Sequence, residues 1–313
     1  MIQNLNRFFM PFVVCSFIST IVLSDEPVES SWKSFDGSHF PSSKWPPKEK
    51  LNPSAVLIGV HGFSGAASDF NNLGDHLSSK GVGLYAYELR GQGNDPEESS
   101  VGDIASVEHW YKDLNSFIKM VHKETPEAPI FLYGESLGSL IVMHGFPYFD
   151  DAIREKIKGV IYASPLIALP GELPPVKNFI VRIAMFLFPK MKISIRSLAS
   201  NQNTKVTSET DHWEQMAKTP HFVPKYTLRA LGSIEALVYS SKEAGPKISK
   251  PTLILYPGKD VFTRPDQVDE FFGILKFKDK TKYLFKESYH LLAFDKEKEK
   301  LFKIVEKWIK DRS

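Results

Sequence analysis

Cysteine is almost missing from this chain: there is one, Cys15, and it lies inside an apolar run near the N-terminus. Outside that run no disulfide framework, no cysteine nucleophile and no cysteine-ligated zinc site can be built. Net charge is missing too. The 39 basic and 37 acidic residues nearly cancel to +2, so there is no electrostatic footprint for nucleic acid. Beyond the N-terminal run there is no Asn-x-Ser/Thr sequon, since Asn52 is followed by Pro53, which argues against a eukaryotic secreted glycoprotein. No internal repeat is visible. What remains is ordinary globular composition, 42% hydrophobic and 24% charged over 313 residues. That length suits one large domain with an insertion, or two smaller ones.

The N-terminus departs from this average. Arg7 is followed by FFMPFVVCSFISTIVL, residues 8–23, with no charge at all, and then by acidic, proline-bearing sequence. A basic start, an apolar stretch and small or β-branched residues at Val22 and Ser24 fit a secretory signal cut after Ser24. The alternative is an uncleaved membrane anchor, for which the run is short and interrupted by Pro11. The expectation is a signal peptide or anchor over residues 1–24 and a domain over 25–313, in a protein exported to a bacterial periplasm, envelope or exterior.

Within that domain, Asp36-Gly37 between two apolar stretches signals an opening hairpin. Continuously hydrophobic runs follow: AVLIGV (55–60), GLYAYEL (83–89), IFLY (130–133), GVIYAS (159–164), TLILY (252–256) and TKYLF (281–285). Such runs read as strands covered on both faces. Between them lie helical stripes, with Trp110, Tyr111, Leu114, Phe117, Ile118 and Val121 at i, i+3, i+4 spacing and Leu301, Ile304, Val305, Trp308 and Ile309 repeating it. Strands alternating with helices predict an α/β fold, a mostly parallel central sheet flanked by helices. Residues 168–248 break the alternation, with no convincing strand and one helical run, VKNFIVRIAMFLFP, that is apolar nearly all round. This block reads as a helical cap inserted after the sixth strand.

The chemistry centres on FLYGESLGSLIVMHG, residues 131–145, a buried strand that turns sharply at Gly-Glu-Ser-Leu-Gly into an apolar helix. A glycine-rich turn that happens to contain a serine has the same letters. The other reading is a nucleophile, Ser136, on a strained strand-to-helix elbow. A serine nucleophile needs a base, a group to orient the base and donors for the oxyanion, all at the carboxyl ends of strands. Of the 9 histidines, His290 follows the last strand and precedes the last helix. It can also be read as a satisfied loop histidine. Asp260 sits in the PGKD turn after TLILY, with Asp266 and Asp269 as close competitors. The order Ser136, Asp260, His290 is the one expected of an α/β-hydrolase. Candidate oxyanion donors are the backbone N–H groups of Leu137, at the start of the elbow helix, and Phe63, in the HGFSG loop after AVLIGV. His61 of that loop reads as a structural hydrogen-bonding residue.

HGFSG, ELRGQG (88–93), GESLG, ASP (163–165), PGKD and SYH together resemble the monoacylglycerol lipase and lysophospholipase branch of the α/β-hydrolases, which overlaps the serine aminopeptidase-like set. The resemblance spans about residues 30 to 311. It implies Ser136 as nucleophile, His290 as base, Asp260 as orienting acid and the Phe63 and Leu137 amides as oxyanion hole, with no metal or cofactor. Two motifs depart from the branch: Glu135 stands before the nucleophile where His is commoner, and Gln92 and Asn94 replace the His and Ser of RGHGxS. The resemblance implies a serine ester hydrolase of single-chain lipid esters, such as monoacylglycerols or lysophospholipids. An acyltransferase, an amidase or peptidase with the same triad, and a non-catalytic binding protein on the scaffold are the alternatives. Phe179, Ile183, Phe186 and Leu187 of the cap are expected to form an apolar wall over Ser136, unless they are the cap's own core or rest on a membrane surface. Nothing in the sequence fixes an oligomeric state.

Overall fold

The computed structural model describes residues 26–49, 52–169, 175–195, 205–208 and 219–313. The expected signal or anchor segment, and His212 in the cap, lie outside the described residues. In chain order the strands are β1 Val28–Lys33, β2 His39–Trp45, β3 Ala55–Val60, β4 Val82–Tyr87, β5 Ile130–Glu135, β6 Ile157–Ala163, β7 Lys192–Ser194, β8 Lys225–Thr227, β9 Thr252–Pro257 and β10 Lys280–Phe285. Eight of them form one sheet in the order β1-β2-β4-β3-β5-β6-β9-β10. The opening hairpin pairs β1 with β2 antiparallel, and β2 joins β4 antiparallel; every other pairing in this sheet is parallel.

The central strands are buried throughout because each face of the sheet has its own apolar layer. Val56, Ile58 and Val60 of β3 point into one layer, with Trp110, Leu114 and Phe117 from the helix Val107–Glu124. Ala55 and Leu57 point into the other, against Leu73, Leu301 and Trp308. A continuous apolar run is therefore two alternating sets, each meeting helices. Each large aliphatic side chain so buried contributes roughly 1.5–3 kcal/mol. The Val107–Glu124 helix starts where Ser106 Oγ accepts the Glu108 N–H at 3.3 Å, and all six residues of its expected stripe are buried. β10 differs from expectation. It is the sheet's edge and is only partly covered; Lys280 and Lys282 sit where a bare edge would invite another strand.

The chain leaves the sheet after β6 and returns at β9. Between them lie the helices Pro175–Leu187 and Leu228–Tyr239 and a small antiparallel ribbon of β7 with β8. The expectation of no strand in this block is corrected by that ribbon, whose three-residue strands are too short to show periodicity. The helix Leu228–Tyr239 buries Leu228, Ala230, Ile234, Leu237 and Val238 on the core. The helix Pro175–Leu187 instead turns Phe179, Ile180, Ile183, Phe186 and Leu187 outward, with Phe186 85% exposed. Among the described residues no helix is long and apolar enough to cross a membrane.

Candidate active site

The chain turns at Ser136 between β5 and the helix Leu137–Gly145, and the turn bends its backbone to φ 52°, ψ −114°. A side chain rarely tolerates that conformation, which costs about 1–3 kcal/mol and persists only where the surroundings enforce it. They do so by close approach. A Cβ at Gly138 would lie 2.0 Å from the Val60 carbonyl oxygen, and one at Gly134 would lie 2.6 Å from that of Gly138. The Ser136 N–H donates to the Ala163 carbonyl at 3.0 Å, and Ser139 Oγ ties back to the Gly134 carbonyl at 2.7 Å.

Across the site His290 is oriented as a general base requires. Its Nδ1 lies 3.0 and 3.1 Å from the two carboxylate oxygens of Asp260, which leaves Nε2 as the free nitrogen. Asp260 Oδ1 also accepts the Phe262 N–H at 2.9 Å, and the Phe262 ring packs edge-on against His290. The competing acids are engaged elsewhere. Asp266 pairs with Arg264 on the surface, and Asp269 bonds Lys282 and Tyr256. Burial alone would lower the pKa of His290, but the charge and hydrogen bond of Asp260, with Glu135 behind them, raise it above its ordinary value.

One positioning residue escaped sequence reasoning although its motif was visible. Ser164, of ASP, has φ 44° and its Oγ donates to the His290 carbonyl at 2.5 Å, so the end of β6 holds the histidine loop in place. Its only sequence signal was a serine immediately after a strand at the site's edge.

The HGFSG loop abuts the nucleophile: a Cβ at Gly62 would lie 3.2 Å from Ser136 Cβ. Phe63 follows Gly62, and Leu137 opens the elbow helix, where the first amides have no intrahelical acceptor. His61 is buried and structural. Its Nδ1 donates to the Gly62 carbonyl at 2.9 Å and its Nε2 accepts the Leu89 N–H at 3.1 Å. Burial pushes its pKa down to about 4, so it stays neutral in that tautomer.

Two acids also border the site. Glu135 is buried with Oε1 unpartnered among the described residues, and Asp69 accepts the Ala66 N–H at 3.0 Å. Burial, reinforced by Asp69, pushes Glu135 up to about 8. Asp69, partly open to the pocket, is pushed up to about 7, chiefly by burial and then by Glu88.

Ser136 and His290 line one pocket of about 320 Å³, at the small end for small-molecule sites. Its apolar wall is Ile195, Val206, Phe222, Phe262, Leu291 and Phe294, and Glu135, Asp69 and the cap's His221 add polar groups. The expected wall of Phe179, Ile183, Phe186 and Leu187 is a correction. None of the four lines this pocket, and all four are exposed, because their helix presents Val181, Ala184 and Met185 inward instead. Among the described residues no group of three or more His, Cys, Asp and Glu could hold a metal ion.

The sequence family described as "Serine aminopeptidase, S33" matches residues 51–297. An uncharacterized abhydrolase domain-containing protein of Dictyostelium discoideum is 24% identical over 273 residues, which cover 86% of this chain and 27% of that longer protein. A monoglyceride lipase of Saccharomyces cerevisiae is 25% identical over 299 residues, 88% of this chain and 90% of its own. A crystal structure of a soluble variant of that species' monoglyceride lipase, in complex with a substrate analog, matches with a TM-score of 0.79 at 20% identity, covering 93% of this chain and 97% of that one. The shared element is the fold: a mostly parallel sheet flanked by helices.

Proposed function

The chain belongs to the serine aminopeptidase S33 family of α/β-hydrolases, and on that premise we propose that it is a serine carboxylester hydrolase acting on single-chain lipid esters such as monoacylglycerols or lysophospholipids. The observation that carries the reading is His290 held by Asp260 through Nδ1 over the same pocket as a strained Ser136. Ser136 Oγ attacks the ester carbonyl carbon while His290 Nε2 takes its proton. The carbonyl oxygen becomes an oxyanion, met by the Phe63 and Leu137 N–H groups. As the intermediate collapses, the C–O bond to the alcohol breaks and His290 returns the proton to the leaving oxygen. The acyl group is then on Ser136. Water, deprotonated by His290, attacks that ester, releasing the fatty acid and restoring the serine.

The lipid character rests on two features. The wall of Ile195, Val206, Phe222, Phe262, Leu291 and Phe294 suits an acyl chain. The outward face of Phe179, Ile180, Ile183, Phe186 and Leu187 supports contact with a membrane surface from which such substrates come. We further propose that the protein is exported, with residues 1–24 as signal peptide or membrane anchor, a reading supported by Arg7 and the uncharged apolar run 8–23; mass spectrometry of the mature chain would read a start at residue 25 if they are removed.

A fluorophosphonate probe tests the nucleophile. It should label the wild type and not Ser136→Ala, and an unlabelled, folded wild type would overturn the assignment. A panel of esters varying in acyl length and head group tests the substrate. Turnover should rise with chain length, and a strong preference for acetyl esters or peptides would remove the lipid reading.

A further inference from the structure

The loop ELRGQG after β4 is the conspicuous motif with no part in the triad, and its Gln92 departs from the resembled branch. Gln92 is 1% exposed. Its Oε1 accepts the Ser64 N–H at 2.8 Å and the Tyr226 hydroxyl at 2.6 Å. An amide oxygen has two lone pairs, so both are used, and a flipped amide would set NH2 against the Ser64 N–H, which can only donate. Tyr226, from β8 of the cap, also lies 3.1 Å from Ser64 Oγ and stacks its ring on Phe63, centroids 4.1 Å apart at 25°. The cap can come this close because position 93 is glycine: a Cβ there would lie 1.7 Å from the His221 carbonyl oxygen.

These contacts bear on the peptides either side of Phe63. The peptide carrying the Phe63 N–H has the Gly62 carbonyl at its other end, fixed by the Gly65 N–H at 3.1 Å and His61 Nδ1 at 2.9 Å. A trans peptide points N–H opposite to C=O, so pinning the carbonyl aims the amide. The next peptide carries the Ser64 N–H and is pinned by Gln92, at a residue whose φ of 55° needs an external anchor. Within this loop the side chain of Gln92 is shared between the oxyanion loop and the cap.

We propose that Gln92 and Tyr226 are positioning residues for the oxyanion hole, aiming the Phe63 amide through a three-way bridge between the HGFSG loop, the ELRGQG loop and cap strand β8. The inference rests on the proposed ester-hydrolase reading and deepens it: the cap takes part in transition-state stabilisation as well as covering the pocket. Neither side chain need touch substrate.

The test compares Gln92→Met, which keeps volume and removes the acceptor, with Gln92→Glu, which keeps an acceptor, and Tyr226→Phe, which keeps the stack and removes the hydroxyl. Removing an oxyanion donor outright costs about 10²–10³ in kcat, so misaiming one should cost about 10- to 100-fold for Gln92→Met and less for Tyr226→Phe. KM should change little. Affinity for a trifluoromethyl ketone, which forms the oxyanion adduct on serine, should fall in step with kcat, whereas affinity for a non-hydrolysable ether analogue should hold. Gln92→Glu should recover part of the kcat lost in Gln92→Met. The proposal is overturned if Gln92→Met and Tyr226→Phe keep kcat and ketone affinity within twofold, if ether and ketone affinities fall together, or if Glu is no better than Met. Should Gln92→Met fail to fold, Tyr226→Phe decides alone by the same ketone-to-ether ratio. A wild type that turns over no ester defeats the underlying function instead, and is recognised before any variant is made.

Discussion

The helices Leu137–Gly145 and Pro175–Leu187 are both largely apolar, yet they end in opposite surroundings. In the first, every residue from Leu137 to Met143 is buried, and Gly138 and Gly145 let neighbouring segments press in. In the second, Phe179, Ile180, Ile183, Phe186 and Leu187 face outward while Val181, Ala184 and Met185 turn in. Apolar content alone therefore does not decide burial. The elbow helix starts at the end of a central strand and has sheet, helix and loop around it. Among the described residues the cap helix has neighbours on one side only. The first begins at Ser136, the proposed nucleophile, and the second carries an exposed apolar face.

Four experiments break or sharpen this contrast. The largest effect belongs to the elbow. Ser136→Ala should lower ester turnover by about 10⁴-fold or more, with circular dichroism unchanged. Next is the acid. Asp260→Asn should cost on the order of 10⁴ in kcat by reversing the tautomer of His290, while Asp266→Asn, on a surface pair with Arg264, should stay within about twofold. Equal losses would move the orienting role away from Asp260. A stability effect follows: Gly138→Ala drives a methyl into the Val60 carbonyl and should cost about 3 kcal/mol or more, read as a lowered urea midpoint. The cap helix should respond in the reverse sense. Phe186→Ser should leave stability and turnover of a soluble short-chain ester within about twofold, since surface changes rarely exceed ±0.5 kcal/mol. It should weaken sedimentation with lipid vesicles by about tenfold, as losing one buried aromatic contact with lipid implies. Vesicle binding indifferent to Phe186 would detach the exposed face from any lipid surface.

Titration adds a further contrast. His290 must be neutral to act, and its pKa is raised above the ordinary 6.5, so the acid limb of the rate profile should have its midpoint above that value. Glu135 has a folded pKa of about 8 against an ordinary 4.5. A carboxyl raised in this way contributes stability that is fully present below 4.5 and lost as pH rises towards 8. Glu135→Gln should thus gain stability over the wild type increasingly from pH 5 to pH 8, by at most ~1.4 kcal/mol per pH unit, read as a growing difference in Tm. A constant difference across that range would mean that Glu135 is ionised throughout.

Much of the sheet was legible because each central strand is a solid apolar run bounded by loops. Ser136, Asp260 and His290 were legible because each falls at a strand end. Choosing among Asp260, Asp266 and Asp269 needed space as well as order. What escaped shares a physical cause. Val206 and Phe222 reach the pocket from irregular segments, where no periodicity says which way a side chain points. β7 and β8 are three residues each, too short to register. Gln92 looked like a departure from a motif, and only the Tyr226 hydroxyl and Ser64 amide around it give it a place.

Three serines near the site, Ser64, Ser136 and Ser164, hold φ of 55°, 52° and 44°. Each is a corner the free chain would avoid, kept bent by the sheet ends and loops around it. Warmth that loosens those loops would let the corners unbend while the strands behind them remain paired. Activity on heating should therefore disappear several degrees before helix and strand signals do, and coincident loss would show that the corners are as durable as the sheet. For this protein, heat would act first on the bends and only afterwards on the fold.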